Sequence, residues 1–390
     1  MMSAPLEGVR VIELARILAG PWIGQTLADL GADVIKIESP EGDDTRRWGP
    51  PYIDDGEEQW AAYFHACNRG KRSVTLDLAT PEGQKAVRAL VRSADVLIEN
   101  FKVGGLKKYG LDYASLAAVN PRLIYCSVTG FGQAGPYAQR AGYDFMIQGM
   151  SGIMDLTGEP DRPPQKIGVA FADIFTGLYG VVGIQSALLQ RARTGKGQQI
   201  DLALLDCMGG VLANQAMNYL ATGVPPRRLG NAHPNIAPYQ AVRVANGHII
   251  IACGNDNQFA RLVAALDLAE LALDPRFSTN GVRVANRDSL TALIEARTQQ
   301  WSKDALLVEL ERIGVPAGPI NSVAELFADA QFTSRGMQIK VDGVPGIRTP
   351  LVFSDAELTL SRRSPRLGEH NDEILAALEK SAGAEQIDET

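Results

Sequence analysis

One carboxylate stands where it could do chemistry. Asp173 lies in AFADIFTG, at the head of a long, glycine-spaced apolar run, FADIFTGLYGVVGIQSALL. Burying an ionised carboxylate without a partner is expensive and shifts its pKa. Two roles fit the residue type. Asp is a favoured N-cap, its side chain taking a free N–H at a helix start; it is also a nucleophile or base. The pattern around Asp173 leaves both open. Farther along, Arg227, Arg228 and His233 fall in GVPPRRLGNAHPNIAP, which could meet a carboxylate or be plain surface loop. The four cysteines, Cys67, Cys126, Cys207 and Cys253, form no CxxC, and only four histidines accompany them, so neither a zinc site nor a disulfide framework is expected.

At 390 residues and 45% apolar, the chain can bury a full core and divide into roughly two to three domains. Its net charge of -7 comes from interspersed residues without a basic block, which argues against nucleic acid as a partner. The opening MMSAPLEGVRVIEL lacks a basic region followed by an apolar core. No uninterrupted apolar run reaches the ~18 residues of a membrane span. A cytoplasmic protein without a membrane partner is the expectation.

Elements must carry these residues. GVRVIEL reads as a buried strand, WIGQTLADLG as an amphipathic helix closed by Gly31, and ADVIKIE as a second strand. Together they make a βαβ unit with parallel strands, and ligands in such folds sit beyond the strands' C-terminal ends. Ala15 to Pro21 therefore belongs to a binding edge, and Asn100, ending the strand DVLIEN, faces the same way. Thr80-Pro81-Glu82 caps the next helix. Alternation of β and α through residue 130 predicts a doubly wound α/β sheet. Gly130 to Gly135 matches GxGxxG, but the polar PYAQRAG follows where the dinucleotide fingerprint requires an apolar helix, so a nicotinamide or flavin is not expected. Lys71 and Arg72 read as a solvated surface pair. Gly223 to Pro238 is the sharpest shift in composition and marks a boundary. Beyond it, two strand-like runs flank Asn246-Gly247, a hairpin signal, before several helices.

Ordered along the chain, ELARILAGPWIGQTLADLGADVIKIE, NRGKRSVTLDL, ENFKVGGLKKYGLDY, SVTGFGQAGPY, AGYDFMIQGMSG, ADIFTG, RTGKGQQIDLALLD, GNAHPNIAPYQ, GNDNQF and LGEHNDEIL closely resemble the family III CoA-transferases, also called CaiB/BaiF. The resemblance implies a Rossmann-like large domain built from both chain ends, a smaller α+β domain and an interlocked homodimer. Its domains would be residues 1–222, a linker 223–238, the small domain 239–325, a linker 326–345, and a return to the large domain over 346–390. It implies that Asp173 is the catalytic nucleophile. It further implies CoA contacts from Arg16, Ile17, Leu18, Ala19, Leu76, Asn100, Phe101, Lys108, Tyr143 and Asp144, with Gln148 and His233 meeting the substrate. Lys108 stands where an Arg is common and keeps the cation without the bidentate fork. GNAHPNIAPYQ stands where some members carry a glycine run that closes over the Asp.

The chemistry implied is CoA transfer from an acyl-CoA to a free carboxylic acid through aspartyl anhydride and aspartyl-CoA thioester intermediates. Coenzyme A would be a substrate, with no resident cofactor and no metal. Small dicarboxylates, with succinyl-CoA as donor, suit the His- and Arg-bearing linker. The nearest rival is 2-methylacyl-CoA racemisation, which needs an acid/base pair about the α-carbon. Related racemases place a His before the Asp of a GHD motif. Here Gly142-Tyr143-Asp144 puts a tyrosine there, with an ordinary pKa near ~10 that makes it a poor base. A non-catalytic CoA-binding protein would have lost Asp173.

Overall fold

The computed structural model describes residues 3–388. The chain folds as two compact units: the first takes the residues through Ser151, then Ile167–Leu212, then those from Gln331 on, and the second takes Gly152–Lys166 and Ala213–Ala330.

The first unit is built on a six-stranded sheet. Its strands are β1 (Arg10–Glu13), β2 (Asp33–Glu38), β3 (Arg72–Thr75), β4 (Val96–Glu99), β5 (Ile124–Thr129) and β6 (Gln198–Ala203), in the order β3-β2-β1-β4-β5-β6. Every pairing is parallel. Parallel sheets covered on both faces need near-continuous apolar strands. Val11, Ile12, Val96, Leu97 and Ile98 supply them and are wholly buried. The strand order reverses between β1 and β4, all strands still running parallel, and a crevice opens there beyond the strand ends.

Helix α1 (Ala19–Asp29) follows β1 and stops where Gly31 takes a φ of +101°. Helix α2 (Pro81–Arg92) is capped by Thr80, whose hydroxyl accepts from the Gly83 N–H, with Pro in the first turn. No helix follows Gly135 until α3 (Asp144–Met150). The long α4 (Phe171–Thr194) is apolar and long enough to resemble a membrane span, yet glycines set its packing here. A Cβ at Gly177 would lie 2.9 Å from Trp22, and one at Gly180 2.3 Å from Ile23, so the two glycines let α4 lie directly on α1. After β6 comes α5 (Leu204–Val211), and Ala213, with φ of +45°, separates it from the next helical segment, Ala213–Thr222.

The edge strand β3 is covered from far along the chain. His370 and Ser73 exchange hydrogen bonds, the Ser73 N–H to Nδ1 at 3.2 Å and the His370 N–H to the Ser73 carbonyl at 3.0 Å. Asn371 accepts the Thr75 N–H at 2.9 Å.

The second unit holds an antiparallel sheet of β7 (Tyr239–Val244), β8 (Gly247–Ala252) and β9 (Ala317–Pro319), with β8 central. The hairpin at Asn246-Gly247 joins β7 to β8 in register. Helices α6 (Asp256–Ala265), α7 (Arg287–Thr298) and α8 (Lys303–Arg312) cover Ile249, Ile251, Phe259, Leu262, Ile294 and Leu306. Buried Arg283 ties this core by donating to the Ala237 and Phe277 carbonyls at 2.8 and 3.0 Å.

The two units depart from the boundaries expected of the sequence in three places. Residues 152–166 and residues 213–222 belong to the second unit, and residues 331–345, read as linker, belong to the first, where Gln338–Val341 pairs antiparallel with Val344–Ile347.

Candidate active site

A cavity of about 450 Å³ occupies the crevice between β1 and β4. Arg16, Ile17, Leu18 and Ala19 form one edge, Asn100, Phe101 and Lys108 another, and Tyr143 and Asp173 reach it from α3 and α4. Asn100 binds the β1–α1 turn at both backbone groups of Arg16, accepting from its N–H at 3.0 Å and donating to its carbonyl at 2.7 Å. Helix α1 starts at this edge without a side-chain cap, Leu18 being its N-cap residue. Its first N–H groups are therefore free to meet an anion.

Asp173 is the third residue of α4 and does not cap it. The cap comes from Asp144, whose Oδ1 accepts the Ala172 N–H at 2.8 Å while its Oδ2 accepts from Gln148 Nε2 at 2.8 Å. Gln148, fully buried, in turn accepts the Ile167 N–H at 2.9 Å. The N-cap role that the sequence left open for Asp173 thus belongs to a carboxylate on another helix. The Asp173 carboxylate makes no side-chain hydrogen bond or ion pair among the described residues. Burial first, and the Asp144 charge second, push its pKa up to about 7. Desolvation raises the nucleophilicity of a carboxylate that is ionised, so the same burial activates it.

Of the residues expected here, Arg16, Ile17, Leu18, Ala19, Asn100, Phe101, Lys108, Tyr143 and Asp173 line one cavity. Leu76 packs against the apolar core instead. Asp144 and Gln148 lie behind the α4 start rather than on the cavity wall. His233 is in the second unit, where its Nδ1 accepts the Asn235 N–H at 3.1 Å and its ring lies 5.1 Å from Tyr239. Burial and Arg287 lower its pKa. Arg228 pairs with Asp155 at 2.9 Å.

Lys71 corrects the reading as a surface cation. It is wholly buried, with Nζ 2.8 Å from Glu13, 2.9 Å from the Pro21 carbonyl and 2.9 Å from Asn68. Arg72 is held by Asp33 at 2.6 Å and Glu373 at 2.8 Å. Glu13 also takes Lys36 Nζ at 3.1 Å, so one carboxylate lies between two buried ammonium groups beneath the crevice.

Three groups escaped the sequence reading. Arg140 and Lys102 add cations to the cavity. Tyr63 stands near Asp173, and burial together with that carboxylate raises its phenol pKa. A signal for Arg140 existed, a cation two residues before Gly142, but nothing local marks Tyr63.

Gly130 and Gly142 also line the cavity, and there the backbones touch. A Cβ on Gly142 would sit 2.3 Å from the Gly130 Cα. Neither side has a flexible atom to yield. Gly142→Ala is expected to destabilise the fold by about 2–3 kcal/mol and to weaken CoA binding by displacing Tyr143. Urea denaturation and a CoA titration check both; unchanged values in each would refute the close approach.

Comparison with known proteins agrees with this geometry. The model of CoA-transferase family III matches residues 6–371. The succinate–glutarate CoA-transferase of Agrobacterium fabrum is 58% identical over 383 residues, covering 96% of each chain. The human succinyl-CoA:glutarate CoA-transferase is 40% identical over 380 residues, 95% of this chain and 85% of that one. A crystal structure of a CaiB/BaiF family protein from Brucella suis, 71% identical, superposes with a TM-score of 0.87 over 96% of this chain and 100% of that one. Matched by the family model along nearly its whole length and by a solved member in both sequence and mixed α/β fold, the chain belongs to CoA-transferase family III.

Proposed function

We propose that this CoA-transferase moves CoA from succinyl-CoA to a short dicarboxylate of the glutarate class, with Asp173 as nucleophile. The observation that carries the mechanism is the unpaired Asp173 carboxylate at the cavity, relieved of capping by Asp144. The substrate class follows from the activities named for the Agrobacterium and human relatives.

The steps conserve bonds. An Asp173 oxygen attacks the thioester carbonyl, the C–S bond breaks, and CoA thiolate leaves a mixed succinyl–aspartyl anhydride. The thiolate attacks the aspartyl carbonyl, releasing succinate and leaving an aspartyl-CoA thioester. The acceptor carboxylate displaces the thiolate to form a second anhydride. The thiolate then attacks the acceptor's carbonyl, giving the new acyl-CoA and free Asp173. N–H groups at the uncapped start of α1 suit the CoA phosphates. CoA serves as substrate, and the scheme uses no metal and no resident cofactor.

An interlocked homodimer belongs to the same reading. Leu178, Val182 and Leu189 along α4, and Leu351 to Phe353, are exposed apolar side chains suited to burial against a second copy. Light scattering at micromolar concentration tests this, and a monomer would end it.

The mechanism is tested by intact mass after succinyl-CoA and then hydroxylamine. A hydroxamate at Asp173, absent from Asp173→Ala, is the expected result. No adduct with succinyl-, glutaryl- or acetyl-CoA, together with α-proton exchange in deuterated water, would instead establish the racemase reading. CoA binding without either reaction would leave a non-catalytic CoA-binding protein.

A further inference from the structure

The turn between β1 and α1 keeps a residue in a conformation that its side chain disfavours. Ile17 has φ of +74°, the left-handed region, where a β-branched residue is an outlier. Such strain persists only where surrounding groups over-determine it, and it gathers at ligand clamps. The surroundings here are specific. The Ile17 N–H faces both oxygens of Asp43, at 3.4 and 3.3 Å, and its carbonyl takes the Cys67 thiol at 3.5 Å. These bonds to Asp43 are long, so the carboxylate's charge rather than ideal geometry sustains them.

Asp43 is itself fixed. Lys36 Nζ lies 3.0 Å from one oxygen, while the Thr45 N–H and hydroxyl donate to the other at 3.0 and 2.8 Å. The Asp43 N–H donates to Glu38 at 3.0 Å. Burial works against its charge, but Lys36 and Thr45 hold its pKa down at about 2. Lys36 donates a further bond to the Ala15 carbonyl at 2.8 Å. Asp43 and Lys36 do not touch the cavity, whereas Arg16, Ile17, Leu18 and Ala19 line it.

We propose that Asp43, backed by Lys36, is a positioning residue for acyl-CoA: its carboxylate holds Ile17 left-handed and thereby shapes the Arg16–Ala19 edge that CoA contacts. This rests on reading the cavity as the acyl-CoA site. Without the carboxylate, Ile17 relaxes toward negative φ and that edge moves. Asp173, carried on α4, stays in place. The loss therefore falls on CoA affinity and leaves turnover nearly intact.

The test is CoA binding by calorimetry, together with KM and kcat for succinyl-CoA. Asp43→Asn is expected to weaken CoA binding and raise the acyl-CoA KM by ~10-fold, with kcat within about twofold and the acceptor KM unchanged. Ile17→Gly removes the strain that the carboxylate opposes. In the Ile17→Gly background, Asp43→Asn is expected to cost at most about twofold in affinity. Should Asp43→Asn fail to fold, Thr45→Val, which removes one donor orienting the same carboxylate, is expected to raise KM about two- to threefold. Wild-type affinity in a folded Asp43→Asn or in Thr45→Val, an equal loss in kcat, or full additivity with Ile17→Gly overturns the proposal. Absence of CoA binding by the wild-type protein would instead remove the site reading on which it rests.

Discussion

Asp173→Asn should abolish CoA transfer, by about four orders of magnitude or more, and at the same time raise the melting temperature at pH 8. The first effect follows from replacing the nucleophile with an amide that cannot form the anhydride. The second follows from the position of the carboxylate. Burial and Asp144 lift its pKa to about 7, against about 3.9 in an unfolded chain. Between those values the folded protein binds more protons than the unfolded one, so stability falls as pH rises through the interval. Above it the full penalty of a desolvated charge remains. Asn has no such penalty and should gain about 1–3 kcal/mol at pH 8, with no gain at pH 4. Calorimetric melting at both pH values, beside a transfer assay, gives the answer. A lower melting temperature at pH 8 would show that Asp173 is not strained by burial, and more than about 1% residual transfer would show that it is not the nucleophile.

The second large effect lies beneath the crevice. Glu13→Ala should destabilise the protein by about 3–5 kcal/mol, because it leaves buried ammonium groups without their shared carboxylate. Lys36 retains Asp43, but Lys71 retains only the Asn68 oxygen and the Pro21 carbonyl. Burial already lowers the pKa of Lys71 despite Glu13. A lysine with a depressed folded pKa carries its full penalty below that pKa, and the penalty shrinks as pH climbs toward the unfolded value. The defect should therefore be smaller at pH 10 than at pH 7. Adding Lys71→Met to Glu13→Ala should restore much of the loss, since the unpaired charge is what costs. Urea midpoints for the two variants decide it; additive losses would contradict the pairing.

Residues whose partners lie close along the chain were legible in the sequence, and those with distant partners were not. Strand β1, helix α1 and strand β2 carry their periodicity and their stops in adjacent residues, so the binding edge at Ala15 to Pro21 followed from local pattern and the strand-end rule. Asn100 followed from the strand-end rule alone, although its partner Arg16 lies 84 residues away. Lys71 could not, because its partner Glu13 is 58 residues away and both side chains are of types that are usually exposed. The family resemblance implies Asp144 as a CoA contact, whereas its cap on α4 spans 28 residues. Asp173 was legible as a choice between two roles. Only the position of Asp144 settles which role is already taken.

The cover on β3 has a consequence for the order in which the protein can be made. The groups that saturate this strand arrive 297 and 296 residues after it in the chain. At ribosomal rates of about 5–20 residues per second, the strand waits roughly 15–60 s between its own synthesis and that of its cover. During that interval the nascent sheet presents an open parallel edge to any neighbouring strand. Holding by a chaperone, or slow completion of the edge after release, is the natural requirement of a chain whose sheet is closed by residues this late.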